Sequence, residues 1–166
     1  MIKLPKKIYL TAMGKHWSVS YAHTPGKLAL IEFPHCKLVI YGKHHSKRAV
    51  IKFLLKWVKF KSLGYLSALS IKLNRKIKVK YKKLRVRPLT AGWGRCASDK
   101  TISLNYYLIF LPPMLVRHLI IHELCHIRYL DHSPQFWKEV AKYDKGWKKN
   151  KESLYVADIY IPKWAM

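Results

Sequence analysis

A chain of 166 residues, half of them hydrophobic and 13% aromatic, has the material for one buried core rather than two, so a single domain over 1–166 is expected. Its 33 Lys and Arg against 8 Asp and Glu give a formal net charge of +25. Such a surface either draws polyanions or reflects a general basic bias that keeps the chain soluble. Cys36, Cys96 and Cys125 are odd in number and far apart, which excludes a disulfide framework and a zinc ribbon; with no apolar run near the roughly 20 residues of a membrane span and no signal-peptide core, a cytoplasmic protein is expected.

The first forty residues read as short strands, 7–12, 16–22, 27–33 and 37–41, with a turn at Thr24-Pro25-Gly26. They predict a small antiparallel sheet. From Ser46, a plausible N-cap, the period becomes helical: Val50, Ile51, Leu54, Leu55 and Val58 recur on one side, and Arg48, Lys52, Lys56 and Lys59 on the other. A second helix is expected after Gly64, through Leu66, Leu69 and Leu73. Alternation returns at 76–87, with Lys76, Lys78, Lys80 and Lys82, then Arg85 and Arg87, in a strand that must bulge at Lys82-Lys83 to keep its cations on one face. That face is either a phosphate-tracking stripe or an edge strand guarded by lysines. A strand over 101–110 follows, then a buried helix from about Pro113 to Leu130 and a short helix opened by Ser133-Pro134 that carries Phe136, Trp137, Val140 and Ala141.

His122-Glu123-Leu124-Cys125-His126 is an H-E-x-x-H motif on the buried helix. Residues four apart on a helix differ by about 40° and 6 Å, so both imidazoles reach one ion. Zinc in catalytic sites takes three protein ligands and leaves one position for water. His132, ten residues after His122 where the helix should end, supplies the third, and Glu123 stands beside the water as general base. Burying His and Glu costs free energy unless something pairs with them, and a metal does so.

These residues, together with Trp93-Gly94-Arg95-Cys96, Ile102-Ser103-Leu104-Asn105, Leu108 to Pro113, Asp131-His132-Ser133-Pro134 and Phe136-Trp137, resemble the YgjP-like metallopeptidases, a family related to the SprT and WLM zinc peptidases. The resemblance covers about 80–155. It implies a zincin-like α+β fold, an antiparallel sheet of N-terminal strands plus strands at about 76–87 and 101–110 packed on helices, with the active-site helix at about 113–130. It also implies a zinc peptidase with one Zn2+ ion on His122, His126 and His132 and Glu123 as catalytic residue. The chain is then organised as a β-rich 1–45, a helical 46–75 and a zinc-peptidase core at 76–166. Arg95 stands where the family usually has serine, and Tyr129 where metzincins carry glycine.

The strand over 101–110 is expected to bind extended substrate along a free edge, with Ser103 and Asn105 as substrate contacts. Tyr106, Tyr107 and Tyr129 are either oxyanion donors or packing aromatics, and Asp131 either supports a ligating imidazole or ends the helix. His16, His23, His35, His44, His45 and His118 read as ordinary histidines, and Cys96 and Cys125 as core. The expected partner is a peptide or protein, with DNA or another polyanion on Lys76, Lys78, Lys80, Lys82, Arg85 and Arg87. Two other classes remain open: a basic nucleic-acid-binding protein with a structural zinc, and a membrane-surface protein using the Arg48–Lys59 face.

Overall fold

A computed structural model describes residues 3–43 and 46–166; His44 and His45, like Met1 and Ile2, lie outside the described residues. Strands β1 (Lys7–Leu10), β2 (Lys15–His23), β3 (Ala29–Phe33) and β4 (Lys37–Gly42) form one sheet in the order β1-β2-β4-β3. The strands fall where the alternation places them, but the sheet is mixed, since β2 and β4 run parallel from Ser18↔Lys37 to His23↔Gly42. β3 and β4 form a tight hairpin, turned by His35 and Cys36 at φ 58° and 55°. β3 lies at the edge and β4 against β2, so the expected antiparallel order is corrected here.

Helix α1 spans Lys47–Ile77 as one element of 31 residues, capped by the Ser46 side chain, which accepts from Ala49 N. Two helices were expected. Gly64 does not break α1, because the buried stripe runs past it, from Val50, Leu54 and Val58 to Ser62, Leu66, Ser70 and Leu73. That burial outweighs the roughly 1 kcal/mol a mid-helix glycine costs. Glu32, the one acid before Asp99, binds the first sheet to α1. Its carboxylate accepts from Trp17 Nε1 (2.9 Å) and Trp57 Nε1 (3.1 Å), and Lys61 Nζ lies 2.7 Å away.

The strand expected over 76–87 is mostly helix and turn. Lys76 lies in the last turn of α1, Lys78 closes it at φ 58°, and the Asn74 side chain both donates to Val79 O and accepts from Val79 N, which ends the helix by local hydrogen bonding that alternation does not encode. β5 covers only Lys83–Arg87, so no bulge exists at Lys82-Lys83 and the stripe of cations is broken. Lys82 instead pairs with Asp99 at 3.1 Å.

The second sheet has the order β5-β7-β6, with β6 at Gly94–Cys96, β7 at Thr101–Asn105 and β5 parallel to β7. The strand expected to reach 110 stops at Asn105, whose side chain accepts from Tyr107 N and starts a 3-10 turn over Tyr106–Phe110. β7 is paired on both sides, so it has no free edge for a substrate. Among the described residues β6, a strand not anticipated from the sequence, is paired on one side only.

Helix α2 runs Pro113–Cys125 with proline at its first turn, five residues shorter than expected, because Ile127 N and Arg128 N bond Leu124 O and Cys125 O and tighten the end. α3 (Pro134–Tyr143) starts on a Ser133 cap as anticipated. α4 (Trp147–Tyr155) leaves no apolar stripe to find in the sequence, since none of its residues is fully buried. Both sheets, α1, α2 and α3 share one apolar cluster, the class is α+β, and no described helix is long and apolar enough to cross a membrane.

Candidate metal centre

The last turn of α2 carries His122 and Glu123, His126 caps it, and His132 returns on the loop into α3. The Nε2 atoms of His126 and His132 lie 3.0 and 3.1 Å from His122 Nε2, and the ligand atoms of the three histidines fall within 4.8 Å of one another. Two nitrogens at about 2.0–2.1 Å from a tetrahedral zinc stand about 3.3 Å apart, so the triangle has the dimensions of a zinc site.

The proton positions agree. His126 Nδ1–H donates to Tyr129 O at 2.9 Å, which leaves a lone pair on Nε2 aimed at the cluster. His122 is pulled down to about 3, first by burial and then by the neighbouring histidines, so it is neutral near pH 7. Three imidazoles crowded nose to nose cannot all satisfy one another by hydrogen bonds, whereas a cation satisfies them all. The donor set can hold a divalent metal ion. Phe136 stacks on His126 with centroids 4.4 Å apart, and Trp137 on His132 at 5.6 Å, so the first turn of α3 walls the imidazoles in.

A single guanidinium braces the loop. Arg128 pairs with buried Glu139 on α3 and donates to Ile77 O at 2.7 Å, at the end of α1. The segment from His126 to His132 is thereby fastened to two helices.

Glu123 is 4% exposed, and its Oε2 has no hydrogen-bond partner among the described residues. Burial pushes its carboxyl up to about 8. The reason it fits is Gly94 of β6: a Cβ there would lie 2.7 Å from Glu123 Oε1 and 3.0 Å from Cδ. Gly94→Ala is therefore expected to keep the fold and displace the carboxylate, lowering kcat by at least tenfold with little change in KM. Steady-state kinetics of a peptide substrate checks this, and unchanged kcat would show the carboxylate's seat to be irrelevant.

Gly94, His122, Glu123 and His132 line a cavity of about 400 Å³ with Trp93, His118, Leu119, Trp137, Lys151, Leu154 and Tyr155. Trp93 Nε1 donates to Leu154 O at 3.1 Å and joins the turn before β6 to α4; Trp137 stacks on Trp147 at 4.4 Å. His118 is more than the ordinary histidine its sequence surroundings suggest. It is 1% exposed, its Nδ1 lies 2.6 Å from Asp144 Oδ2, and burial outweighs that carboxylate to hold the ring below its usual pKa. Its position four residues before His122, on the same helical face, was the available signal.

Other candidates lie elsewhere. Ser103 Oγ accepts from Arg87 Nε at 3.4 Å on the far face of the sheet, and Asn105 caps the 3-10 turn, so neither lines the histidine cavity. Tyr107 donates to Ala165 O at 2.7 Å, and Tyr106, Tyr107 and Tyr129 are also absent from its wall. Tyr129 contributes its carbonyl instead. Asp131 accepts from Ser133 N at 3.2 Å, so the turn, not an imidazole, takes its carboxylate. Burial pushes the Cys96 thiol up to about 11 and that of Cys125 to about 12, so neither is a thiolate at neutral pH. Lys76, Lys78, Lys80 and Lys82 are scattered over the end of α1 and the turn that follows, whereas Arg85 and Arg87 share one face of β5.

Two solved structures are similar to part of the chain. The metallopeptidase zymogen of Pyrococcus abyssi abylysin aligns at 24% identity and a TM-score of 0.49, over 55% of this chain and 92% of its own. The metallopeptidase zymogen of Methanocaldococcus jannaschii jannalysin aligns at 19% identity and a TM-score of 0.47, over 57% and 93% respectively. No curated protein matches. The family profile described as YgjP-like, metallopeptidase domain, matches residues 2–156, nearly the whole described chain, and the protein accordingly belongs to the YgjP-like metallopeptidase family.

Proposed function

We propose that this metallopeptidase hydrolyses internal peptide bonds with one zinc ion held by His122, His126 and His132 and with Glu123 as the general base. The observation that carries the reading is the clustering of three imidazole nitrogens beside a cavity that also holds a buried carboxylate whose Oε2 has no hydrogen-bond partner among the described residues. A bound zinc ion would polarise the scissile carbonyl, acidify the attacking water and, by its charge, favour ionised Glu123. Glu123 takes the water's proton as attack begins and returns it to the departing amine. The high proton affinity that burial gives it suits a base that must then act as an acid. Trp137 and Leu154 line the cavity on the α4 side, and Trp147 backs Trp137.

The open edge of β6 takes the substrate-binding role expected of the strand over 101–110. An extended peptide laid along Gly94–Cys96 gains backbone hydrogen bonds with little demand on its side chains. A neighbouring cavity shares Trp93, Leu154 and Tyr155 with the histidine cavity and leaves room for chain beyond the cleaved bond, which favours an endopeptidase. Substrates bound to nucleic acid suit the +25 charge, and the three unpaired cysteines suit a reducing cytoplasm. A structural zinc in a nucleic-acid-binding protein is the weaker reading, because such a site closes a fourth ligand round the ion and needs no buried carboxylate beside it.

The test is hydrolysis of an unfolded protein by the zinc-loaded chain. Cleavage abolished by a chelator and restored by stoichiometric zinc is expected; a fully loaded protein that cleaves nothing overturns the proposal.

A further inference from the structure

The face of the second sheet turned away from α2 holds a group of cations that the peptidase reading does not use. Arg85 on β5 and Arg95 on β6 both stand opposite Ser103 of β7, so two guanidiniums and a hydroxyl form one row across three strands. Arg87, two residues along β5, points to the same side and donates to Ser103 Oγ at 3.4 Å. Together with Ala97, Ser98, Asp99 and Thr101 these residues enclose a cavity of about 350 Å³, its floor made by Thr101 and Ser103, 8% and 4% exposed. None of the three arginines has a carboxylate partner among the described residues. The rim's one acid, Asp99, is already taken by Lys82 Nζ (3.1 Å), Thr101 N (3.0 Å) and Thr101 Oγ1 (3.0 Å).

Unpaired guanidiniums crowded on rigid strands repel one another, and a shape-matched anion relieves this by accepting paired N–H bonds. We infer that Arg85, Arg87 and Arg95, over the Ser103 hydroxyl, form a binding site for phosphate groups, most suitably those of a nucleic-acid strand. A polymer is favoured over a lone phosphate because cations continue past the cradle, with Lys83 on the same face of β5 and Lys100 in the turn before β7. The site replaces the broken lysine stripe as the place where a polyanion is gripped. It does not depend on what the histidines bind. It does share β6 with the cleft: Gly94 faces Glu123, and its neighbour Arg95 faces the cradle. A phosphate polymer held there lies one strand's thickness from the proposed peptide edge.

The test measures binding of a fluorescent single-stranded oligonucleotide, and separately of inorganic phosphate, to the full-length chain, to Arg85→Gln/Arg95→Gln and to a control, Lys52→Gln/Lys56→Gln, that removes equal charge from α1. The cradle variant should bind the oligonucleotide about tenfold more weakly than the control. Its log–log salt slope should be shallower by about 0.7 for each phosphate that the variant no longer neutralises. Weakening confined to the inorganic phosphate arm still supports the site and makes a small phosphate its ligand. Equal weakening by both variants, or none in either arm, overturns it. If the cradle variant fails to fold, the Nε resonances of the unmodified protein decide. Phosphate should move those of Arg85, Arg87 and Arg95 well beyond those of Arg48 and Arg75, and a uniform shift defeats the site.

Discussion

Glu123→Gln is expected to lower turnover by about 10²–10⁴-fold while leaving the zinc content at the level of the unchanged chain. Glutamine preserves the volume pressed against Gly94 and the packing of α2, but it cannot accept a proton, so the loss isolates the base from the ligands. A second readout comes from stability. In the metal-free protein burial raises the Glu123 pKa to about 8, above its ordinary value near 4.5. The folded state then binds the proton more tightly than the unfolded chain does. The stability this group contributes is complete below about pH 4.5 and is lost as pH rises toward 8. The neutral amide has no such loss, so the melting temperature of the variant should gain on that of the parent across this window and level off above it. Peptide hydrolysis and calorimetry measure the two effects. More than a tenth of parental activity in the variant would falsify the assignment of the base.

Stripping the metal, or changing His122 to Ala, is the second change with a large expected effect. A ligand that binds only the folded state stabilises it by RT ln(1 + [L]/Kd), or about 4 kcal/mol at a thousand times Kd, which for a chain of this size moves Tm by on the order of 10 °C. Zinc should therefore raise the Tm of the parent strongly and that of His122→Ala hardly at all. The metal-free parent should also be sensitive to acid. His122 is held down to about 3 by burial, so between about pH 6.5 and 3 the unfolded chain binds more protons than the folded one and stability falls with pH. His122→Ala removes this contribution. Scanning calorimetry with and without zinc, from pH 4 to 8, measures both. Equal zinc stabilisation of the parent and His122→Ala would show that the metal sits elsewhere.

The site was more legible in the sequence than the fold around it. His122, Glu123, His126 and His132 stand together because helical periodicity fixes the first three and a capped helix start at Ser133 limits where the fourth can go. Gly94 and His118 were harder to find. Gly94 matters through what a side chain would strike, and that is known only once β6 lies over α2. His118 had a visible spacing to His122, but its partner Asp144 is 26 residues away in sequence. The strand over 76–87 misled because alternating Lys and apolar residues fit both a strand and the end of a helix, and the paired hydrogen bonds between Asn74 and Val79 decided between them. The mixed sheet was not legible because alternation marks where strands run and not which of them are neighbours, so it does not distinguish β3 from β4 as the partner of β2.

The brace formed by Arg128 ties the histidine cluster to the first half of the chain in a mechanical sense. One planar cation reaches the carbonyl that closes α1 and the carboxylate in the middle of α3, and the loop between His126 and His132 hangs from it as a strap of set length. Adding or deleting a residue within 127–131 has no slack to draw on, because both anchors belong to packed helices. The 31-residue helix, remote from any chemistry, thus serves as the abutment against which the third histidine is held in reach of the other two.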